Sequence, residues 1–170
     1  MKTRRHTALL LLLVLPVAHA ARSQSHEEEY PLTSRHALYL ELGGQGGLYS
    51  VNYDFRVLKA LSLRAGFTKW VFPAIVVVAD VTAVPVMINT LIGGRRANLE
   101  LGIGFLAGTA SGTDIFFGST SSNSFLVATA TIGYRHQSVD GGFVFRVAFT
   151  PILAEGEIYP GGGISFGHSF

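Results

Sequence analysis

The sequence contains no cysteine. Neither a disulfide framework nor a thiolate metal site can hold it together. Lysine is almost missing beyond the first few residues, where only Lys59 and Lys69 occur, too few for a well-solvated outer surface. Long apolar runs are missing as well. The Leu-rich stretch from Ala8 to Leu15 falls far short of the ~20 residues that span a bilayer as a helix. No glycine-rich phosphate loop follows a strand pattern, and no His-Glu-x-x-His occurs, so nothing points to a nucleotide cradle or a zinc protease. The six histidines are scattered, with His6 and His19 inside the first twenty residues. No metal site and no cofactor are expected.

What is present begins with a targeting pattern. Lys2, Arg4 and Arg5 precede the Leu-rich run, Pro16 ends it, and Ala18-His19-Ala20 offers small residues around a cleavage point. This predicts a secretory signal peptide over residues 1–20, cleaved from the chain. Its removal takes three of the 13 Lys and Arg and none of the 11 Asp and Glu, so the formal net charge of +2 becomes about −1. No nucleic-acid partner is expected from that balance. Residues 21–36 are polar, carry Glu27-Glu28-Glu29, and read as a flexible leader. All 20 glycines lie beyond the signal peptide, and with many β-branched residues they argue for strands.

From Ala37 onward the chain alternates with a period of two. Leu38, Leu40 and Leu42 oppose Tyr39, Glu41 and Gly43; Tyr49, Val51, Tyr53 and Phe55 oppose Ser50, Asn52, Asp54 and Arg56. The apolar phase flips across Gly44-Gln45-Gly46-Gly47, which reads as a hairpin, with a bulge as the alternative. Further segments start at Leu61, Thr82, Asn98, Phe125 and Phe143, and a last one runs from Pro160 to Phe170. Counting the glycine stretch as a turn gives eight strands, the even number that a closed antiparallel barrel of bacterial type needs. The links near Lys59, Gly93 to Arg96 and Gln137 to Gly141 are short, whereas 71–81 and 110–123 read as long loops. One face of each strand is apolar, with aromatics near strand ends, and the other is rich in Gly, Ser and Thr with isolated charges. That distribution fits an all-β, eight-stranded antiparallel transmembrane β-barrel over residues 37–170 better than a soluble barrel.

The final strand, PGGGISFGHSF, places Ile164, Phe166, His168 and Phe170 on one face and stops on the aromatic. It resembles the C-terminal strand of bacterial outer-membrane β-barrel proteins, although His168 stands where an apolar residue or Tyr is usual. Together with LYLELGGQGGLYSVNYDFR, NLELGIGFLAG and TIGYRHQSVDGGFVFRVAFTP, it makes the chain similar to the small outer-membrane β-barrel proteins of Gram-negative bacteria. The resemblance implies location in the cell outer membrane, contact with outer-membrane lipid, and an assembly signal at Phe166 and Phe170 read by the outer-membrane assembly machinery. It implies no particular activity. A structural or surface-interaction protein that is not an enzyme is expected, with an unknown ligand as a partner for segments 71–81 and 110–123.

Two other functions compete. Two lipid A-modifying enzymes are eight-stranded barrels of this size, and the deacylase carries a His-x-Ser-Asn element. His136-Gln137-Ser138-Val139 keeps the His-x-Ser spacing but has Val in place of Asn, and it falls in a turn. A small passive channel is the other. Against a channel stands the strand phase: Glu41, Arg64, Glu100 and Arg146 all point inward, each three or four residues from the same end of its strand. At ~3.3 Å per residue they should share one depth and pair as a neutral plug.

Overall fold

The computed structural model describes residues 31–73, 77–114 and 120–170; the signal peptide and most of the leader lie outside them. The strands are β1 (His36–Gly43), β2 (Tyr49–Leu58), β3 (Leu61–Pro73), β4 (Val77–Gly93), β5 (Ala97–Asp114), β6 (Thr120–Gln137), β7 (Gly142–Phe149), β8 (Ile152–Ala154), β9 (Glu157–Tyr159) and β10 (Gly162–Ser169). Every neighbouring pair is antiparallel, and β10 returns to pair with β1, from Ala37↔Ser169 to Gly43↔Gly163. The sheet therefore closes and leaves no edge along the barrel wall. Ten strand elements make eight staves. β8 continues β7 past Pro151 in the register β7 keeps with β6, and β9 likewise prolongs β10. The two meet at Glu155 and Gly156, both at positive φ (54° and 88°), as the right-handed twist of a two-residue hairpin demands.

Gly44-Gln45-Gly46-Gly47 is a hairpin connection, with β1 and β2 paired from Leu42↔Tyr49 to His36↔Phe55. Residues 71–73, 77–81, 110–114 and 120–123 are strand rather than loop, which corrects the reading from composition. β3 and β4 remain paired out to Pro73↔Val78, and β5 and β6 out to Thr113↔Thr120. Ile75 and Val76, and the run Ile115-Phe116-Phe117, lie outside the described residues. Ile152 to Tyr159 likewise forms a strand hairpin.

The distribution of side chains is the inverse of a soluble protein. Leu38, Leu40, Val51, Leu63, Phe67, Ile88, Ile103, Phe105, Ile132, Val147 and Phe166 face outward and are exposed, while Glu41, Asp54, Arg64, Glu100, Arg135 and Arg146 are buried inside. On β5 the outward apolar series runs from Leu99 to Ala107 and on β6 from Tyr134 back to Leu126. Each series spans nine residues, in line with the about 9–11 that a tilted strand uses to cross a bilayer core. Beyond it the outward face turns polar in a single row of ladder partners: Lys69↔Thr82, Thr82↔Thr109, Thr109↔Ser124.

Both mouths of the barrel are covered. At the hairpin end a short 3₁₀ turn, Gly44–Gly46, folds inward and buries Gln45. Gly43, Gly44 and Gly47 have φ between 70° and 80°, and a Cβ on Gly44 would lie 2.5 Å from the Glu41 carboxyl carbon; only glycine makes this turn. At the other end Thr33 and Ser34 donate their amides to the Val139 carbonyl (3.2 and 2.9 Å), with Ser34 and Val139 each 2 % exposed.

Candidate functional site

The lumen gathers buried ionised groups. Period-two alternation puts Glu41 of β1, Asp54 of β2, Arg64 of β3, Glu100 of β5, Arg135 of β6 and Arg146 of β7 on the inner face, each at most 1 % exposed. They form a chain of alternating sign. Asp54 receives both terminal nitrogens of Arg135 (Nη2 to Oδ1 2.8 Å, Nη1 to Oδ2 3.0 Å). Arg135 Nη1 lies 3.8 Å from Glu100 Oε1. Glu100 in turn accepts two bonds from Arg146, at 2.7 Å from Nε and 3.2 Å from Nη2. Arg146 Nη1 reaches Glu41 Oε1 at 3.1 Å, and Glu41 stands 3.8 Å from Arg64 Nη1. The paired, two-point contacts are the strong ones; the 3.8 Å contacts are Coulombic only.

Neutral groups complete the chain. Gln45 accepts from Arg64 Nη2 at 2.7 Å and donates to Thr131 Oγ1 at 2.8 Å and to the Ala130 carbonyl at 3.3 Å. The inward turn is thus tied to two facing walls, β3 and β6. Gly46 holds it from above, its carbonyl accepting from Thr68 Oγ1 and Trp70 Nε1. Ser62 donates to Asp54, Ser50 to Glu41, Arg146 to Ser165 Oγ, and Arg135 Nε to Gln137. The Arg146 guanidinium also lies 5.2 Å from the centre of the Tyr39 ring. Arg56 is a further buried interior cation.

All four residues singled out from strand phase, Glu41, Arg64, Glu100 and Arg146, are in direct contact with this chain. Asp54, Arg135 and Gln45 belong to it too, although phase and depth alone did not single them out. Asp54 and Arg135 carried the same inward phase; nothing in the sequence marks Gln45.

Of the other candidates, Phe166 and Phe170 face outward, Phe166 tilted against Phe145 at 5.4 Å. Phe170 exchanges two backbone hydrogen bonds with His36 (2.8 and 3.0 Å) and stacks on its ring, and His36 bonds the Tyr53 hydroxyl at 2.6 Å. His136 sits between Ala97 and Phe145 on the ladder. Ser138 Oγ accepts from the Asp140 amide, and the Asp140 carboxylate goes to Arg95 at 3.0 Å. Among the described residues no imidazole bonds Ser138, and no cluster of His, Asp and Glu fit for a metal occurs.

No family model and no curated protein matches the chain. Solved structures do. Ail, the attachment invasion locus protein of Yersinia pestis, is similar over 81 % of this chain and 97 % of its own, with TM-score 0.54 and 13 % identity. Its complex with the heparin analogue sucrose octasulfate aligns equally well, at 15 % identity. The N-terminal β-barrel domain of Pseudomonas aeruginosa OprF is similar over 81 % of this chain and all of its own, with TM-score 0.56 and 13 % identity. The chain folds as a closed eight-stranded barrel of the outer-membrane kind that Ail and OprF share.

Proposed function

We propose that this chain is exported by its signal peptide, inserted into the outer membrane of a Gram-negative cell, and serves there as a structural or surface-interaction barrel with a closed lumen and no catalytic site. The inverted distribution carries this reading. An exposed apolar belt around a buried, charge-filled interior has no counterpart in a soluble barrel, and lipid is the environment that makes the belt favourable. Phe166 and Phe170 act as the assembly signal. Their outward exposure at the seam, with Phe170 61 % exposed, supports recognition by the assembly machinery before closure.

A surface-interaction role draws further support from the paired strands that rise past the Lys69–Ser124 row and carry 71–81 and 110–123 beyond the bilayer. At this end the described residues offer Lys69 against Asp80, Glu155 and Glu157, a balance that disfavours a polysulfated ligand like the heparin analogue bound to Ail. A lipid A-modifying enzyme using His136 and Ser138 finds no support in the bonding of Ser138 and Asp140 described above. Cell fractionation is the test: the protein should sediment with the outer membrane and show a heat-dependent shift in gel mobility. Recovery as a soluble periplasmic protein would overturn the proposal.

A further inference from the structure

Charge is distributed unequally between the two ends of the barrel. The end with the start of β1 and the short turns after β2, β4 and β6 carries Arg35, Lys59, Arg95 and Arg96, and among the described residues its acid is Asp140. The opposite end carries Lys69 against Asp80, Glu155 and Glu157. The four cations occupy consecutive segments of one rim. Arg35 lies along the end of β2, its carbonyl accepting from the Arg56 amide and its Nη1 donating to the Val57 carbonyl. Lys59 follows in the next turn, where the Ala60 carbonyl accepts from the Leu91 amide at the end of β4. Arg95 and Arg96 form the turn after that, bound through their carbonyls to the amides of Val139 and Gln137. Backbone bonds therefore fix the spacing of this arc even though Arg35, Arg95 and Arg96 are exposed.

The arc also lies at a defined depth. Lys59 stands between Leu58 and Leu61, and Arg95 and Arg96 lie within three residues of Ile92 and Leu99, all on the lipid-facing series. Three residues span about 10 Å of strand, and the headgroup zone on each side of a bilayer is roughly 5–7 Å deep. Long cationic side chains at the edge of an apolar belt reach into that zone.

We propose that Arg35, Lys59, Arg95 and Arg96 form a binding surface for the phosphates of anionic glycerophospholipids in the leaflet at the turn end of the barrel. The site rests on the membrane reading above. Arg95 keeps its contact with Asp140, a pair about half exposed on both sides (55 % and 54 %). Arg35, Arg95 and Arg96 are exposed and Lys59 is half-buried, so the charge of all four bears on the same rim. The opposite rim, with its acidic balance, repels the same headgroups, so the preference belongs to one leaflet.

The test uses the full barrel reconstituted in phosphatidylcholine vesicles with and without phosphatidylglycerol. Spin-labelled forms of the two lipids report which is immobilised at the protein surface. A cation at an anionic surface favours the charged lipid by about fivefold, so phosphatidylglycerol should be enriched several-fold in low salt and less so in high salt. The exposed-turn variant Arg35→Gln/Lys59→Gln/Arg96→Gln should bring the ratio toward one while keeping the heat-dependent mobility shift. Lys69→Gln, at the opposite rim, should leave the ratio unchanged. A barrel that inserts in both vesicles without a preference, or a triple variant that keeps it, overturns the rim site alone. A chain that inserts in neither overturns the membrane reading beneath it.

Discussion

Arg146 is the residue on which the interior depends most. It touches Glu100 twice, Glu41 once and Ser165 once, so its loss leaves buried Glu100 with Arg135 at 3.8 Å and buried Glu41 with Ser50 and with Arg64 at 3.8 Å. Removing one partner of a buried pair costs roughly 3–5 kcal/mol. Arg146→Ala should lower unfolding stability by that order in a urea titration followed by gel mobility. Glu100→Ala should do the same, and the double variant should cost clearly less than the sum, since the two groups interact directly; strict additivity would show that they do not. Gln45→Ala is a milder case. It leaves Arg64 with Glu41 at 3.8 Å and unties the turn from β6, a loss of about 1–3 kcal/mol for buried groups left unsatisfied. The amides of Gly46 and Gly47 should then exchange with solvent faster; unchanged exchange would mean the backbone alone holds the turn. Strand phase was enough to find Glu41, Arg64, Glu100 and Arg146 in the sequence, but not the whole chain. Asp54 stands four positions from the end of β2 and Arg135 two from the end of β6. Only the closed barrel shows that Arg135 reaches Asp54 across the lumen, and so that these two belong with the four.

At the scale of elements, the strands were legible where one side is apolar and the other lines the lumen, because that contrast writes the period of two into the residues. It fades where the strands run past the apolar belt. Thr109, Ser111, Ser122 and Ser124 point outward into water, so alternation there separates polar from small, and composition mimics a loop. Pro151 interrupts the ladder without ending the stave: it can donate no ladder bond, yet its carbonyl accepts from Ala130 and Thr129. The seam between β1 and β10 is tight. A Cβ on Gly167 would fall 2.1 Å from the Leu38 carbonyl oxygen, so Gly167→Val should obstruct closure. Deleting Phe170 removes both backbone bonds to His36 and the ring stacked on it. Assembly should slow and the amount in the membrane fall. A truncated chain that accumulates normally in a membrane fraction would deny Phe170 any part in assembly.

For the whole molecule, an eight-stranded barrel encloses an interior that side chains just fill. Here Gln45 and the charge chain occupy it, with Ser34 and Val139 beneath. In a planar bilayer the protein should therefore pass no steady ionic current, and reproducible unitary steps would refute the closed lumen. The alternating chain has a further consequence in time. Its members sit on β1, β2, β3, β5, β6 and β7, and Arg146 joins Glu100 to Glu41 from opposite sides of the final seam. No single hairpin, and no open sheet short of the full circuit, brings them together. The links that join the two ends of the sheet, Arg146 to Glu41 and Arg135 to Asp54, form only when the last strand is zipped to the first, so full neutralisation is the reward of completion: half-built barrels are driven either onward or back, and seldom rest between.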